Sequence, residues 1–376
     1  MTQLGRMLNL GGFTQGLCFN GAAMLTQKLG LASLLDALFE QGASDLVLSV
    51  GAPPALRVDG RLQPTIGPPL QPADAERLVD ELLTDQLRNT FRSAGSVDFS
   101  FDWGTLGRVR GNAFRQRGSV ALALRAIPFQ IPTFADLGVP PVVERLVEMP
   151  QGLILVTGPT GSGKSTTQAA MLDAINRTMA KHIITIEDPI EYVHRHQLSL
   201  VQQREVGIDT PGFPEALRSS LREDPDVLLV GEMRDLESIR MTLTIAETGH
   251  LVIGTLHTND TAQAINRIVD VFPGEQQQQI RVQLSTALAA VIYQQLLPRR
   301  GGGRVAAFEV LIATYPVRNL IHENKGGQIR NVIATSAREG MQTLEASLSS
   351  LVQAGWVDHR EAMARSMFPA EVKAPA

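Results

Sequence analysis

The sequence predicts an α/β protein of two domains, the second built on a mostly parallel sheet. The chain is 376 residues long, beyond the usual size of one compact domain. From Gly152 onward, short β-branched runs at 153–157, 182–186, 227–230 and 251–255 alternate with segments of helical spacing. That alternation is the pattern of parallel strands covered by helices on both faces. Between 128 and 149, Pro128, Pro132, Pro140 and Pro141 break regular structure, as a connection between domains would.

Residues 1–28 read as a Gly-rich, poorly ordered leader in which Met24 offers a second start. Positions 7–27 carry no charge, but Asn, Gln, Thr and Gly interrupt them throughout, unlike the continuous apolar core of a signal peptide. The amino-terminal domain is placed at 29–127, with helical spacing over 31–41, a strand over 45–50 and a turn at 51–54. Its stretch 107–127 alternates in character and concentrates Arg108, Arg110, Arg115, Arg117 and Arg125. A hairpin so charged can reach a phosphate, and it can equally be a solvated sheet face. A linker is placed at 128–149 and the second domain, with a helical carboxyl-terminal region, at 150–376. The longest apolar run, 287–292, reads as buried helix and is far shorter than the roughly 20 residues that span a bilayer. Gln276 to Gln279 read as a polar helix face, and no internal repeat is visible.

Composition narrows the function. Apolar residues at 44% and charged residues at 19% allow ordinary buried cores. A net charge of −4 and 5% aromatics speak against a surface that holds nucleic acid phosphates or stacks bases. Cys18 is the single cysteine, so neither an internal disulfide nor a Cys-rich zinc site is expected. A reducing, cytoplasmic location follows.

The apolar run LILVT leads into Gly158, Pro159, Thr160, Gly161, Ser162, Gly163, Lys164 and Ser165, a full match to GxxxxGK[ST] between a strand and a helix. The glycines let backbone N–H groups converge on an anion, and the start of the helix adds partial positive charge. Lys164 is placed to reach the β- and γ-phosphates of ATP, Ser165 to bind Mg²⁺, and Thr166 to lie near the α-phosphate. Hydrolysis also needs carboxylates. One acidic segment, 184–191, ends a buried strand with Glu187, Asp188 and Glu191, and Glu191 is the candidate base. The other, 224–232, ends an apolar strand with Glu232. There Gly231 stands where such strands usually carry Asp, so Glu232 or water must serve the metal. Glu187, Asp224 and Asp226 are expected to be caps or surface charges. His250 and His257 bracket the strand 251–256, and their odd spacing points the rings to opposite faces. His257, at the strand's carboxyl end with Thr255, is the candidate γ-phosphate sensor.

With these motifs assembled, the chain resembles the type IV pilus retraction ATPases, a branch of the secretion ATPases. The resemblance covers about 31–365 and rests on QGASDL at 41–46, RVDG at 57–60, GPTGSGKST at 158–166, TIEDPIEY at 185–192, LREDPDVLLVGEMRD at 221–235 and ETGHLVIGTLHT at 247–258. It implies a PAS-like α+β domain followed by a RecA-like P-loop domain. It also implies Glu191 as catalytic base, Glu232 as the Walker B acid, and His250 with His257 as the family's histidine pair. A homo-hexamer follows from it, at the cytoplasmic face of the inner membrane at the pilus base, working on an inner-membrane platform protein. Arginines of the first domain would be fingers, with Arg125, Arg110 and Arg117 preferred in that order and Arg115 after them. The chain lacks the four cysteines usual in assembly ATPases. Its late segment 316–323, PVRNLIHE, resembles the retraction motif AIRNLIRE, with Pro316 and His322 as departures. Two other readings stay open: an accessory retraction ATPase paralogous to the main one, and a nucleic-acid-translocating RecA-like motor.

Overall fold

The computed structural model describes residues 30–58, 60–65 and 67–375, and the leader expected at 1–28 lies outside them. The chain divides into two compact units, one of residues up to Trp103 with Val109–Ala126, the other of Gly104–Arg108 with the chain from Ile127 onward.

The first unit is a six-stranded sheet of β1 (Asp45–Ser49), β2 (Ala55–Val58), β3 (Arg61–Pro64), β4 (Ser96–Trp103), β5 (Gly107–Gln116) and β6 (Ser119–Pro128), in the order β3-β2-β1-β6-β5-β4. Helices Leu31–Glu40, Pro72–Leu82 and Asp85–Ala94 complete it. Period-2 alternation sends Leu46 and Leu48 of β1, Val109 and Ala113 of β5, and Leu122 and Leu124 of β6 into one core with Leu35, Leu38 and Leu78. The opposite face carries Arg110 and Arg125 on neighbouring strands.

The second unit holds seven strands in the order β13-β12-β7-β11-β10-β8-β9. These are β7 (Gly152–Thr157), β8 (His182–Glu187), β9 (Leu200–Glu205), β10 (Val227–Val230), β11 (Leu251–Leu256), β12 (Leu288–Pro298) and β13 (Arg304–Ile312). Pairing is parallel from β12 through β9, and β13 runs antiparallel at the edge. Both faces are covered. Leu153 and Leu155 of β7 face one layer of helices and Ile154 and Val156 face the other, which is why these strands read as continuous apolar runs.

Two expectations need correction. The stretch 128–149 is no open linker: helices Phe134–Leu137 and Val142–Val147 form there, and Val142, Val143, Leu146 and Val147 are buried in the second unit's core. Pro141 directly precedes the first turn of its helix, a place where a missing N–H is no loss. The run 287–292 is not helix. Ala287 ends the helix Gly274–Ala287 and β12 begins at Leu288, sandwiched between β13 and β7. A strand apolar on both faces has no alternation to distinguish it from buried helix.

Helices Leu344–Gln353 and His359–Ala364 close the carboxyl-terminal region, packing Leu344, Leu348, Val352 and Ala362 on Tyr293 and Leu297. Among the described residues no helix is long and apolar enough to cross a membrane.

Candidate active site

The carboxyl ends of β7, β8, β10 and β11 converge on a cleft of about 570 Å³. Open parallel sheets place ligands at this edge because loops and helix N-termini gather there. The loop after β7 turns into the helix Lys164–Thr178. Gly158 has φ 144°, and a Cβ there would stand 2.3 Å from the Gln294 carbonyl oxygen, so only glycine lets the loop pass β12. Gln294 also braces the loop from behind: its amide donates to Ser162 O at 2.8 Å and accepts from Thr167 Oγ1 at 2.7 Å.

Lys164 Nζ donates to the carbonyl oxygens of Gly158 and Pro159, each at 3.0 Å. Burial pulls its pKa down, while Glu232 and Glu191 act through space in the other direction. Among the described residues no carboxylate closes an ion pair with it. A cation held on its own loop's carbonyls, beside Thr160, Gly161 and Ser165 at the cleft wall, fits a polyphosphate that would replace those acceptors.

Glu232, after β10, is ion-paired with Arg234, and its Oε1 lies 3.2 Å from His257 Nε2. His257 Nδ1 lies 3.5 Å from Lys164 Nζ. Burial, then the Lys164 charge, pulls the His257 pKa down. A neutral ring protonated at Nε2 satisfies both neighbours, donating to Glu232 and offering Nδ1 to the ammonium. His250 lies away from the cleft, its Nδ1 3.0 Å from Ile245 O. Thr255 lines the cleft and accepts from Gln168 Nε2 at 2.8 Å.

Glu191, Tyr192 and His194 line the cleft from the loop after β8. The Tyr192 hydroxyl is 2.9 Å from Thr166 Oγ1, tying this loop to the phosphate-facing helix. Glu187 is not the surface charge expected. It lines the cleft, its Oε1 accepts from Thr185 Oγ1 at 2.6 Å and Gln203 Nε2 at 3.1 Å, and burial pushes its pKa up to about 7. Asp226 lies elsewhere, accepting from the His182 backbone N–H at 2.8 Å and Lys181 Nζ at 2.9 Å at the start of β8. The glycine at 231 has a steric reason. A Cβ there would stand 3.0 Å from Ile186 O and 3.2 Å from Glu187 Cα, so the usual aspartate would require β8 and β10 to give by a few tenths of an ångström.

The arginines are distributed unevenly in the first unit. Arg110 and Arg125 share its outward sheet face, and Arg125 Nε bonds Asp45 Oδ1 at 2.9 Å. Arg115 sits over the Phe91 ring at 5.4 Å, and Arg117, with φ 49°, forms the β5–β6 turn. The structure therefore brings Arg110 and Arg125 together and sets Arg117 apart. Sequence reading missed Gln203 and Gln294. Gln294 could have been flagged as an amide within the apolar run of a buried strand, since buried amides need partners, whereas Gln203, partly buried on the edge strand β9, carries no such signal.

The model of the type II/IV secretion system protein family matches residues 121–364. The chain is 50% identical to the type IV pilus retraction ATPase PilT of Pseudomonas aeruginosa, covering 91% of this chain and 99% of that protein. This chain belongs to the type II/IV secretion system protein family. Within the family it is 39% identical to the type IV pilus ATPase PilU of the same organism, over 89% of this chain and 87% of the relative. A crystal structure of the pilus retraction motor PilT with bound ADP superposes with a TM-score of 0.86 at 50% identity, over 92% of this chain and 99% of that one. The secretion ATPase fold expected from the motifs is the one found: an α+β amino-terminal unit, then an ATPase unit on a mostly parallel sheet with a helical carboxyl-terminal region.

Proposed function

We propose that this chain is an ATP-hydrolysing motor that powers type IV pilus retraction, acting as a homo-hexameric ring at the cytoplasmic face of the inner membrane. The observation that carries this reading is the 50% identity to a retraction ATPase over 99% of that relative, in a chain whose phosphate loop, Glu232, His257 and Glu191 all face one cleft.

The site residues divide the work. Backbone N–H groups of Gly158 and of residues 160–163, with Lys164, Ser165 and Thr166, hold the phosphates at the helix N-terminus. Ser165, and Glu232 directly or through water, would hold Mg²⁺, which supplies charge neutralisation at the β- and γ-oxygens when bound. Glu191 takes the proton of a water whose oxygen bonds to the γ-phosphorus as the bond to the β–γ bridging oxygen breaks, leaving ADP and phosphate. His257, neutral between Lys164 and Glu232, reports whether the γ-phosphate is present. Arg110 and Arg125 are the preferred fingers from a neighbouring subunit, since they lie on one sheet face. Arginine fingers are worth about 10³–10⁵ in rate. Hydrolysis and release around the ring would move a membrane platform protein so that pilin subunits withdraw.

Pro316 and His322 leave the late helix intact: Pro316 occupies the first turn of Tyr315–His322, where a proline is well placed, and His322 the last. The second reading, an accessory retraction ATPase with a paralogous partner, draws on the 39% identity to PilU. Deleting the gene in its host and scoring surface pili with twitching motility separates them. More pili with lost motility is the expected result, and unchanged pili and motility would leave the accessory role. ATP turnover stimulated by added DNA would instead support a nucleic acid motor. In the purified protein, Lys164→Ala should weaken nucleotide binding and Glu191→Ala should bind nucleotide without turnover. Equal turnover in wild type and Glu191→Ala would refute the base assignment.

A further inference from the structure

The loop that presents Glu191 has no regular secondary structure between β8 and β9, yet a general base must be held within a fraction of an ångström of its water. What holds it is the neighbouring strand. Gln203 and Glu205 are two residues apart on β9, so both side chains leave the same face of the strand. Glu205 Oε2 accepts from the Ile190 backbone N–H at 3.2 Å. Gln203 Oε1 accepts from the His194 N–H at 2.8 Å, and Gln203 Nε2 donates to the Tyr192 carbonyl at 2.8 Å and to Glu187 Oε1 at 3.1 Å. The anchored backbone groups are those of the residues directly before and after Glu191 and of the residue three beyond it. Glu191 therefore sits in a span pinned on both sides, with its own side chain at the cleft wall.

The cradle is itself fixed. Glu205 is buried, and its backbone N–H is held by the Asp209 carboxylate at 2.8 Å. The Val206 N–H bonds the Glu187 carbonyl at 2.8 Å, fastening the end of β9 to the end of β8. Between the anchors, Tyr192 reaches across to Thr166, so the pinned loop is also coupled to the helix that carries Lys164.

We propose that Gln203 and Glu205 are positioning residues for hydrolysis, a side-chain cradle that sets the place of the Glu191 carboxylate relative to the nucleotide. This rests on the reading of Glu191 as the base. Neither Gln203 nor Glu205 itself lines the nucleotide cleft, so their loss acts on the chemical step rather than on binding.

The test measures steady-state ATP turnover by the full chain and, separately, affinity for a fluorescent ATP analogue. Gln203→Met keeps the volume and removes the side-chain hydrogen bonds to Glu187, Tyr192 and His194, and displacing the loop by a fraction of an ångström to an ångström is expected to lower kcat about 10-fold or more. KM and analogue affinity should stay within about twofold of wild type. Glu205→Met should show the same split, and Glu205→Gln, which keeps an acceptor for Ile190, should recover at least about fivefold over Glu205→Met. If Gln203→Met fails to fold, as shown by a lost thermal transition, the Glu205→Met and Glu205→Gln pair decides. Wild-type kcat in Gln203→Met, or equal falls in kcat and analogue affinity, would overturn the cradle. Glu191→Ala measured beside them separates the two ideas: if it turns over normally, the base assignment falls. If it is inactive while the cradle variants are normal, only the cradle falls.

Discussion

Glu187 links the cleft to the stability of the second unit, and Glu187→Gln exposes that link. Burial raises the folded-state pKa of Glu187 from its ordinary 4.5 to about 7, against the opposing pull of hydrogen bonds from Thr185 and Gln203. Below pH 4.5 the carboxyl is protonated in both folded and unfolded chains. Between 4.5 and 7 the unfolded chain releases the proton and the folded chain keeps it, so stability present at low pH is lost as pH rises through the folded value. A displacement from 4.5 to about 7 is worth about 3 kcal/mol. Glutamine keeps the oxygen that accepts from Thr185 and Gln203 and has no charge to bury. The variant should therefore match wild type near pH 4.5, gain about 1.4 kcal/mol per pH unit above it, and level off above pH 7 at about 3 kcal/mol. Urea unfolding of the nucleotide-free protein from pH 5 to 8.5 reads this. The Trp356 fluorescence should be followed in a Trp103→Phe background so that the second unit is reported alone. A difference between variant and wild type that stays constant across that range would refute the reasoning.

Restoring the usual acid before Glu232, Gly231→Asp, should destabilise the protein by about 1–3 kcal/mol through contact with Ile186 O and Glu187 Cα; unfolding as stable as wild type would show that β8 and β10 can part there. Arg330 bonds the buried Glu345 at 3.2 Å and Glu371 at 2.6 Å and lies over the Phe368 ring. Arg330→Met should cost about 3 kcal/mol by leaving Glu345 without its cation, measured by urea unfolding; a cost within experimental error would mean that the Ser366 hydroxyl alone satisfies Glu345.

The phosphate loop was legible because its chemistry is local. A tight turn, a lysine and a hydroxyl must occur at set spacing whatever the rest of the chain does. Glu232 and Glu191 were legible as acids at the ends of apolar runs, since strand ends in parallel sheets face the ligand edge. Glu187 was misread for a physical reason: one carboxylate at a strand end looks like the next, and only packing decides which is desolvated. The run 287–292 was misread because a strand covered on both faces loses its alternation. The prolines of 128–149 carry two meanings, breaker and helix starter, and the burial of Val143 and Leu146 chose the second.

The sequence alone pointed to a two-domain α/β chain with a GxxxxGK[ST] loop, and its motifs carried the resemblance to the retraction ATPases. Both follow from interactions a few residues apart. The tertiary structure decided which side chains complete the site. Gln294 from β12 backs the phosphate loop, Gln203 and Glu205 from β9 hold the Glu191 loop, and His257 from β11 lies between Lys164 and Glu232. These partners are brought together by strand order, β12 beside β7 and β9 beside β8. Strand order is set by how apolar layers bury against one another across the sheet, which no local spacing in the chain records.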